Sequence, residues 1–302
     1  MIPGFRRDLC VSILWGVLAF MPLLATAPWA VEQVTIRGSD TMVRLGQRWA
    51  EEYMKLTDAV RMRVSGGGSG PGIAAFLNGQ TDICESSRDL VPSEYRLAEQ
   101  RGISPHRITV ARDGVAIFVN AENPIFTLTL DQVRDIFTGE ITNWQELGWV
   151  DARIIKYSRD NSSGTFWYLQ RYVMSDADFG VEVQTLPGTA AVVNAVARDK
   201  YGIGYGSIAW VTETKVIGLR ASDTSEPIWP SLRTVNSGAY PITRSLYWFL
   251  DGEPTGELAE LVAWVLSDEG QRIALQSGYY PAPLSGQDST DKNAGAAEEA
   301  GR

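Results

Sequence analysis

Small hydroxyl residues, glycines and arginines recur together in this chain, in Ser39-Asp40-Thr41, Gly68-Ser69-Gly70, Ser86-Ser87-Arg88, and Arg159 followed by Ser162-Ser163-Gly164-Thr165. Hydroxyls and backbone N–H groups donate hydrogen bonds at short reach, glycine lets the main chain approach closely, and arginine adds a charged fork. Those groups suit the capture of a small oxyanion. Once stripped of water, such an ion needs about a dozen replacement hydrogen bonds. Taken singly, each cluster has a plainer reading: a flexible glycine loop, a helix cap or a solvated surface charge. Their coincidence carries more, because all of them fall at turns where a strand should pass into a helix.

Those turns are set by the elements around them. Val34-Thr35-Ile36 reads as a strand, and Met42, Leu45, Trp49, Tyr53 and Leu56 follow at helical spacing, with Ser39, Asp40 or Thr41 as the expected cap. The order repeats with a strand at Val60 to Val64, the loop Ser65 to Gly72, and a helix opened by Ile73. It repeats again with Asp82-Ile83-Cys84, the Glu85 to Asp89 turn, and a helix from about Ser93. Three such units place three helix N-termini at the carboxyl edge of one parallel sheet, where sheets of this kind bind ligands.

The strand Val115 to Asn120 and a helix from Leu130 to Phe137 lead into a second lobe. There the strand Ile154 to Tyr157 runs through the Ser158 to Thr165 loop into a helix from Phe166. After Gly202 to Gly206, the apolar segment Ser245 to Leu250 returns the chain to the first lobe, which the helix Glu257 to Leu266 completes. The fold class expected is α/β, two-lobed, with ligand in the cleft. Residues 31–118 and 238–284 form lobe 1, and residues 119–237 form lobe 2. The small, polar, acidic stretch 285–302 is expected to be disordered.

At 302 residues and 44% apolar composition the chain supports a sizeable core, in about two domains. A formal charge of −9 excludes a protein that wraps nucleic acid, which needs a basic face. Any anion must be captured locally. Residues 1–30 have the form of a secretory signal: Arg6 and Arg7, an apolar run from Leu9 to Leu24, and a small-residue cleavage site after Ala27 or Ala30. An uncleaved anchor is the competing reading, since a spanning helix needs roughly 17–25 residues. Export places the protein in the periplasm or another extracytoplasmic space. Cys10 lies in the leader, so the mature chain keeps Cys84 alone and forms no internal disulfide. The single histidine, His106, sits in a polar, surface-like stretch. Trp144, Trp167, Tyr168, Trp210 and Trp248 follow helix or strand spacing and are expected in core and interlobe packing, not in a sugar-stacking platform.

The ordered set of motifs resembles the periplasmic phosphate-binding proteins of PstS type. Gly38 to Met42, Ser65 to Ile73, Thr81-Asp82-Ile83 with Ser86-Ser87-Arg88, Asp135 to Gly139 with Ile141 to Trp144, Ser158 to Thr165, Pro187 to Val193 and Ile203 to Gly206 carry the likeness. The resemblance implies a class II solute-binding fold, inorganic phosphate as ligand, and the membrane permease of an ABC importer as partner. Carried over, Thr41 and Ser69 would donate from the first lobe and Arg159, Ser163, Gly164 and Thr165 from the second. Two positions depart from the family. Arg88 stands where other members place an acidic residue nearby, and Asn161 stands where some have aspartate. In the best-known members a carboxylate accepts the ligand's proton and so rejects sulfate. Here Asp40 and Asp160 are the candidates for that acceptor.

The full expected ligand set is Ser39, Asp40, Thr41, Gly68, Ser69, Gly70, Ser87, Arg88, Arg159, Ser162, Ser163, Gly164 and Thr165. No catalytic residue, metal or cofactor is expected, and the protein should act as a monomer. The rival readings are a receptor for sulfate, molybdate, tungstate or an organic phosphate, a sensor subunit, and a phosphatase. The phosphatase reading lacks a metal-spaced cluster, an HExxH or a GxSxG motif.

Overall fold

The computed structural model describes residues 31–282. The expected leader and the acidic tail lie outside the described residues. The chain begins with β1 (Glu32–Gly38), α1 (Val43–Tyr53), β2 (Val60–Ser65), α2 (Ser69–Leu77), β3 (Ile83–Ser86) and α3 (Pro92–Gln100). A long strand, β4 (Pro105–Asn120), is followed by β5 (Thr127–Thr129), α4 (Leu130–Thr138), β6 (Ile155–Arg159), α5 (Gly164–Tyr172), β7 (Gln184–Leu186), α6 (Thr189–Arg198) and β8 (Gly202–Ser207). The remainder is β9 (Thr214–Val216), β10 (Gly218–Arg220), α7 (Leu232–Asn236), β11 (Thr243–Asp251), α8 (Gly256–Leu266), α9 (Asp268–Gln276) and β12 (Tyr280–Pro281).

Local sequence explains the main elements. In β1, Val34 and Ile36 point inward and alternate with exposed or half-buried neighbours. In α1, Leu45, Trp49 and Tyr53 bury one stripe. Helix α4 begins with a capping box in which the Thr129 hydroxyl accepts from the Gln132 amide and the Gln132 side chain returns the bond. Three boundaries differ from the sequence expectation. Helix α1 starts at Val43 after Met42, with no side-chain cap, because Ser39, Asp40 and Thr41 have partners elsewhere. Helix α2 starts at Ser69, four residues before Ile73, so Ser69 to Gly72 form its first turn. Strand β4 starts at Pro105, taking in His106, whose ring lies 3.4 Å from Glu253.

The strands run in the order β2-β1-β3-β11-β4-β8-β6-β7. Strand β4 belongs to both halves: Pro105 to Gly114 pairs antiparallel with β11, and Val115 to Val119 pairs antiparallel with β8. The sheet therefore changes lobes at Gly114/Val115. Strands β1, β2 and β3 are mutually parallel on the first side, and β6, β7 and β8 are parallel on the second. The first lobe's core packs α1, α8 and α9 on the sheet around Ile36, Trp49 and Trp248. Trp49 and Trp248 meet edge to face at 5.6 Å, a geometry that adds about 0.5–1.5 kcal/mol to their area burial. The second core is built on Ile117, Phe137, Trp144 and Tyr205. Trp144 and Trp248 are fully buried, and the Trp210 indole donates to the Thr41 carbonyl at 2.9 Å, so these aromatics serve core and interlobe packing.

Among the described residues no helix is long and apolar enough to cross a membrane.

Candidate functional site

The predicted turns converge where β4 passes from one lobe to the other. From the first lobe come the β1–α1 turn with Ser39, Asp40 and Thr41, the N-terminus of α2 with Ser69, and the β3–α3 loop with Ser87. From the second come the end of β6 with Arg159 and the N-terminus of α5 with Ser163, Gly164 and Thr165. Helix N-termini favour an anion through their free N–H groups and partial positive charge.

Inside the cleft the hydroxyls form a buried chain. Ser39 Oγ donates to Ser87 Oγ at 3.0 Å, and Ser69 Oγ lies 3.2 Å from Ser87 Oγ. Thr41 Oγ1 and Thr165 Oγ1 face each other across the lobes at 3.1 Å. A Cβ on Gly164 would come within 2.5 Å of both Ser69 Oγ and Ser87 Oγ, so this approach requires glycine. Ser163 caps α5 by accepting from the Thr165 and Phe166 amides, which leaves its own proton to donate.

Arg159 is the buried cation of the second lobe. Its Nη2 donates to Asp40 Oδ2 at 2.6 Å and its Nη1 to Thr189 Oγ1 at 3.1 Å, while its Nε has no partner. Thr189 opens α6, so a further helix N-terminus borders the site. That participant was not assigned from sequence, although Pro187 to Val193 carried part of the family likeness.

Several expected site residues take other roles. Arg88 forms a two-pronged pair with Glu94 at 2.8 Å for each bond, which anchors the start of α3 and neutralises its charge there. The amides of Gly68 and Gly70 are engaged by the carbonyls of Gly38 and Ser162, both at 2.9 Å, so this glycine pair joins loops instead of offering donors. The Ser162 hydroxyl turns to Asp160, which also accepts the Ser162 amide. Asp160 is thereby tied into its own loop. Asp40 faces the cleft and accepts from Arg159 and from the Gly67 amide.

Sequence reasoning missed the second buried guanidinium. Arg244, 3% exposed, donates through Nε and Nη2 to Asp113 Oδ2 and through Nη2 to Thr41 Oγ1 at 3.2 Å. Asp113 is fully buried and also accepts from Ser207 at 2.7 Å; burial raises its pKa while the Arg244 charge opposes the rise. Arg244 is the second residue of β11, and Asp113 lies within β4 beside the Gly114/Val115 point where its pairing changes. The one available signal was that each comes two residues before a strongly apolar run, at Val115 and at Leu246.

This geometry defines a class: a two-lobed binding protein whose cleft is lined by helix ends, hydroxyls and buried guanidinium groups. Residues 25–269 match the PBP superfamily domain. The chain is 31% identical to the phosphate-binding protein PstS of Pseudomonas aeruginosa over 82% of each chain, and 30% identical to PstS of Bacillus subtilis, covering 82% of this chain and 80% of that one. A phosphate-bound substrate-binding protein assigned to phosphate ABC transport in Clostridium perfringens is 28% identical with a TM-score of 0.75, over 83% of this chain and 100% of that one. The chain belongs to the PBP superfamily and, within it, to the family of the PstS phosphate-binding proteins.

Proposed function

We propose that this chain captures inorganic phosphate between its lobes and delivers it to the membrane permease of an ABC importer, as a receptor and not as an enzyme. The observation that carries this reading is Arg159: its guanidinium comes from the second lobe, is 2% exposed, binds Asp40 of the first lobe, and keeps a buried Nε with no partner. A buried N–H left unpaired costs about 1–3 kcal/mol, and more where the group is charged. An oxyanion between the lobes would accept that proton together with those of Ser69, Ser87, Ser163 and Thr165. The names of the relatives support phosphate as the anion. Ligand that bridges the lobes shifts an open–closed equilibrium by its preference for the closed form, which needs no covalent step.

The reading includes export by the leader 1–30, an extracytoplasmic location, and a monomeric receptor. In this reading Asp40 accepts the ligand's proton; what supports it over Asp160 is that Asp40 faces Arg159 while Asp160 is held in its own loop. Hydroxyls both donate and accept. A cradle of hydroxyls alone would therefore also take sulfate, and discrimination rests on Asp40.

The test is calorimetric titration of the mature protein with phosphate and then sulfate, after co-purified anion has been removed by partial unfolding. Tight phosphate binding without a sulfate response is expected. Equal responses would leave a general oxyanion receptor, and no response to either would overturn the site. Release of phosphate from a generic ester would restore the phosphatase reading.

A further inference from the structure

Arg159 satisfies the demand for one cation, yet a second guanidinium, that of Arg244, is bonded to Thr41. Arg244 and Asp113 are register partners in β11 and β4, next to the point where β4 changes lobes. Their side chains are 2% and 0% exposed. Replacing a buried ion pair by packed apolar residues is often neutral or stabilising, so stability alone is a weak reason for this one.

Its hydrogen bonds point to the cradle. Arg244 Nη2 donates to Thr41 Oγ1 at 3.2 Å, and Nη1 reaches the Ser87 carbonyl at 3.4 Å. A hydroxyl that accepts from a guanidinium has one lone pair occupied, which favours its use as a donor toward another group. The other group near Thr41 Oγ1 is Thr165 Oγ1, across the cleft. On the far side, Asp113 Oδ1 accepts from Ser207 of β8. The pair thus links the cradle to strands of both lobes. Arg244 and Ser87 also line a cavity of about 510 Å³ that continues along the α3 and α5 side of the cleft.

We propose that Arg244 is a positioning residue for the anion and the second positive charge of the cleft, acting through the Thr41 hydroxyl, with Asp113 as its counter-ion. The inference rests on the cleft being the phosphate site. It assigns opposite effects to the two members of the pair. Removing Asp113 leaves the Arg244 charge to the anion, whereas removing both takes away the Arg244 bond to Thr41 without changing the net charge.

The experiment compares phosphate affinity in the wild type, Asp113→Asn, and the neutral pair Asp113→Asn/Arg244→Gln. Asp113→Asn is expected to bind phosphate as tightly as the wild type or tighter. The double variant is expected to bind roughly 10- to 100-fold more weakly, the range of one or two charge-assisted hydrogen bonds. Its salt dependence should match that of the wild type, because the pair carries no net charge, whereas Asp113→Asn, with one uncompensated positive charge, should show a steeper one. Equal binding by the two variants, or a salt dependence in Asp113→Asn no steeper than that of the wild type, overturns the proposal. If Asp113→Asn does not fold, the affinity of the neutral pair decides alone, and a wild-type value overturns the proposal. A wild type that binds no phosphate overturns the cleft reading and this inference with it, whereas a binding wild type with indifferent variants overturns this inference only.

Discussion

The two lobes supply unlike halves of one site. The first lobe offers hydroxyls on three turns, Ser39 and Thr41, Ser69, and Ser87, all buried, with Arg244 behind Thr41 and balanced by Asp113. The second offers the Arg159 guanidinium and the ends of α5 and α6. Hydroxyls adapt, since each donates or accepts; a guanidinium and a helix end only donate. Neither half by itself supplies enough donors to replace the water around an oxyanion. Affinity should therefore arise on closure, and substitutions should differ according to whether they remove charge, block approach or trim a hydroxyl.

The largest effect is expected from Arg159→Ala, which removes the second lobe's cation and leaves Asp40 without it. Phosphate affinity should fall at least about 100-fold, the equivalent of two charge-assisted hydrogen bonds at about 1.5–3 kcal/mol each. Calorimetry would measure it, and a loss under about threefold would break the contrast between the lobes. Next comes Gly164→Ala. Its methyl would press on Ser69 and Ser87 Oγ at 2.5 Å, so it should hold the lobes apart without touching any charge. Small-angle scattering with and without phosphate should show no compaction, and affinity should drop by roughly 100-fold, about 2.7 kcal/mol.

Thr41→Val trims one hydroxyl at constant shape, and a roughly 10-fold loss is expected, consistent with a single hydrogen bond to a charged group. Asp40→Asn sharpens the question of selectivity. Phosphate affinity should decline modestly while sulfate binding appears, so the measured quantity is the ratio of the two. A ratio equal to that of the wild type would remove Asp40 as the proton acceptor.

The smallest effect on binding is expected at Glu85, one strand residue away from the cleft. Its carboxyl is fully buried, accepts from the Trp248 indole at 3.2 Å, and occupies space left by Gly46, where a Cβ would sit 2.3 Å from Oε1. Burial raises its pKa to about 7 against an ordinary 4.5. A raised carboxyl pKa means that the native state holds the proton more tightly than the unfolded chain does. Its contribution is present below pH 4.5 and is lost as pH rises to about 7, on the order of 3 kcal/mol across that window. Glu85→Gln keeps the acceptor for Trp248 and should flatten this part of the stability profile, measured by urea denaturation at pH 5 and pH 8, while phosphate affinity stays unchanged. A profile as steep as that of the wild type would place the titrating group elsewhere.

Much of this was legible in the sequence. The strand–turn–helix units around Ser39, Ser69 and Ser87 appear where periodicity placed them, because alternation in β1 and the apolar stripe of α1 are local properties. The Ser162 to Thr165 segment likewise announced itself as a helix entrance. Less legible was the partner of each polar group. Arg88 adjoins two serines in sequence, but Glu94 lies one turn into α3 and takes its charge. Gly68 and Gly70 read as free donors, yet loop-to-loop contacts use their amides.

The sequence by itself determined the α/β class and the turns at which donors gather, since these follow from local period and residue type. Only the tertiary structure decided which charges meet. Arg244 and Asp113 are 131 residues apart and Arg159 and Asp40 are 119 apart, and both pairs become neighbours through strand register and lobe contact. A charged residue carries no local mark of being buried. Its burial depends on what the rest of the chain packs over it, and here that packing turned two ordinary-looking arginines into the buried cations of the cleft.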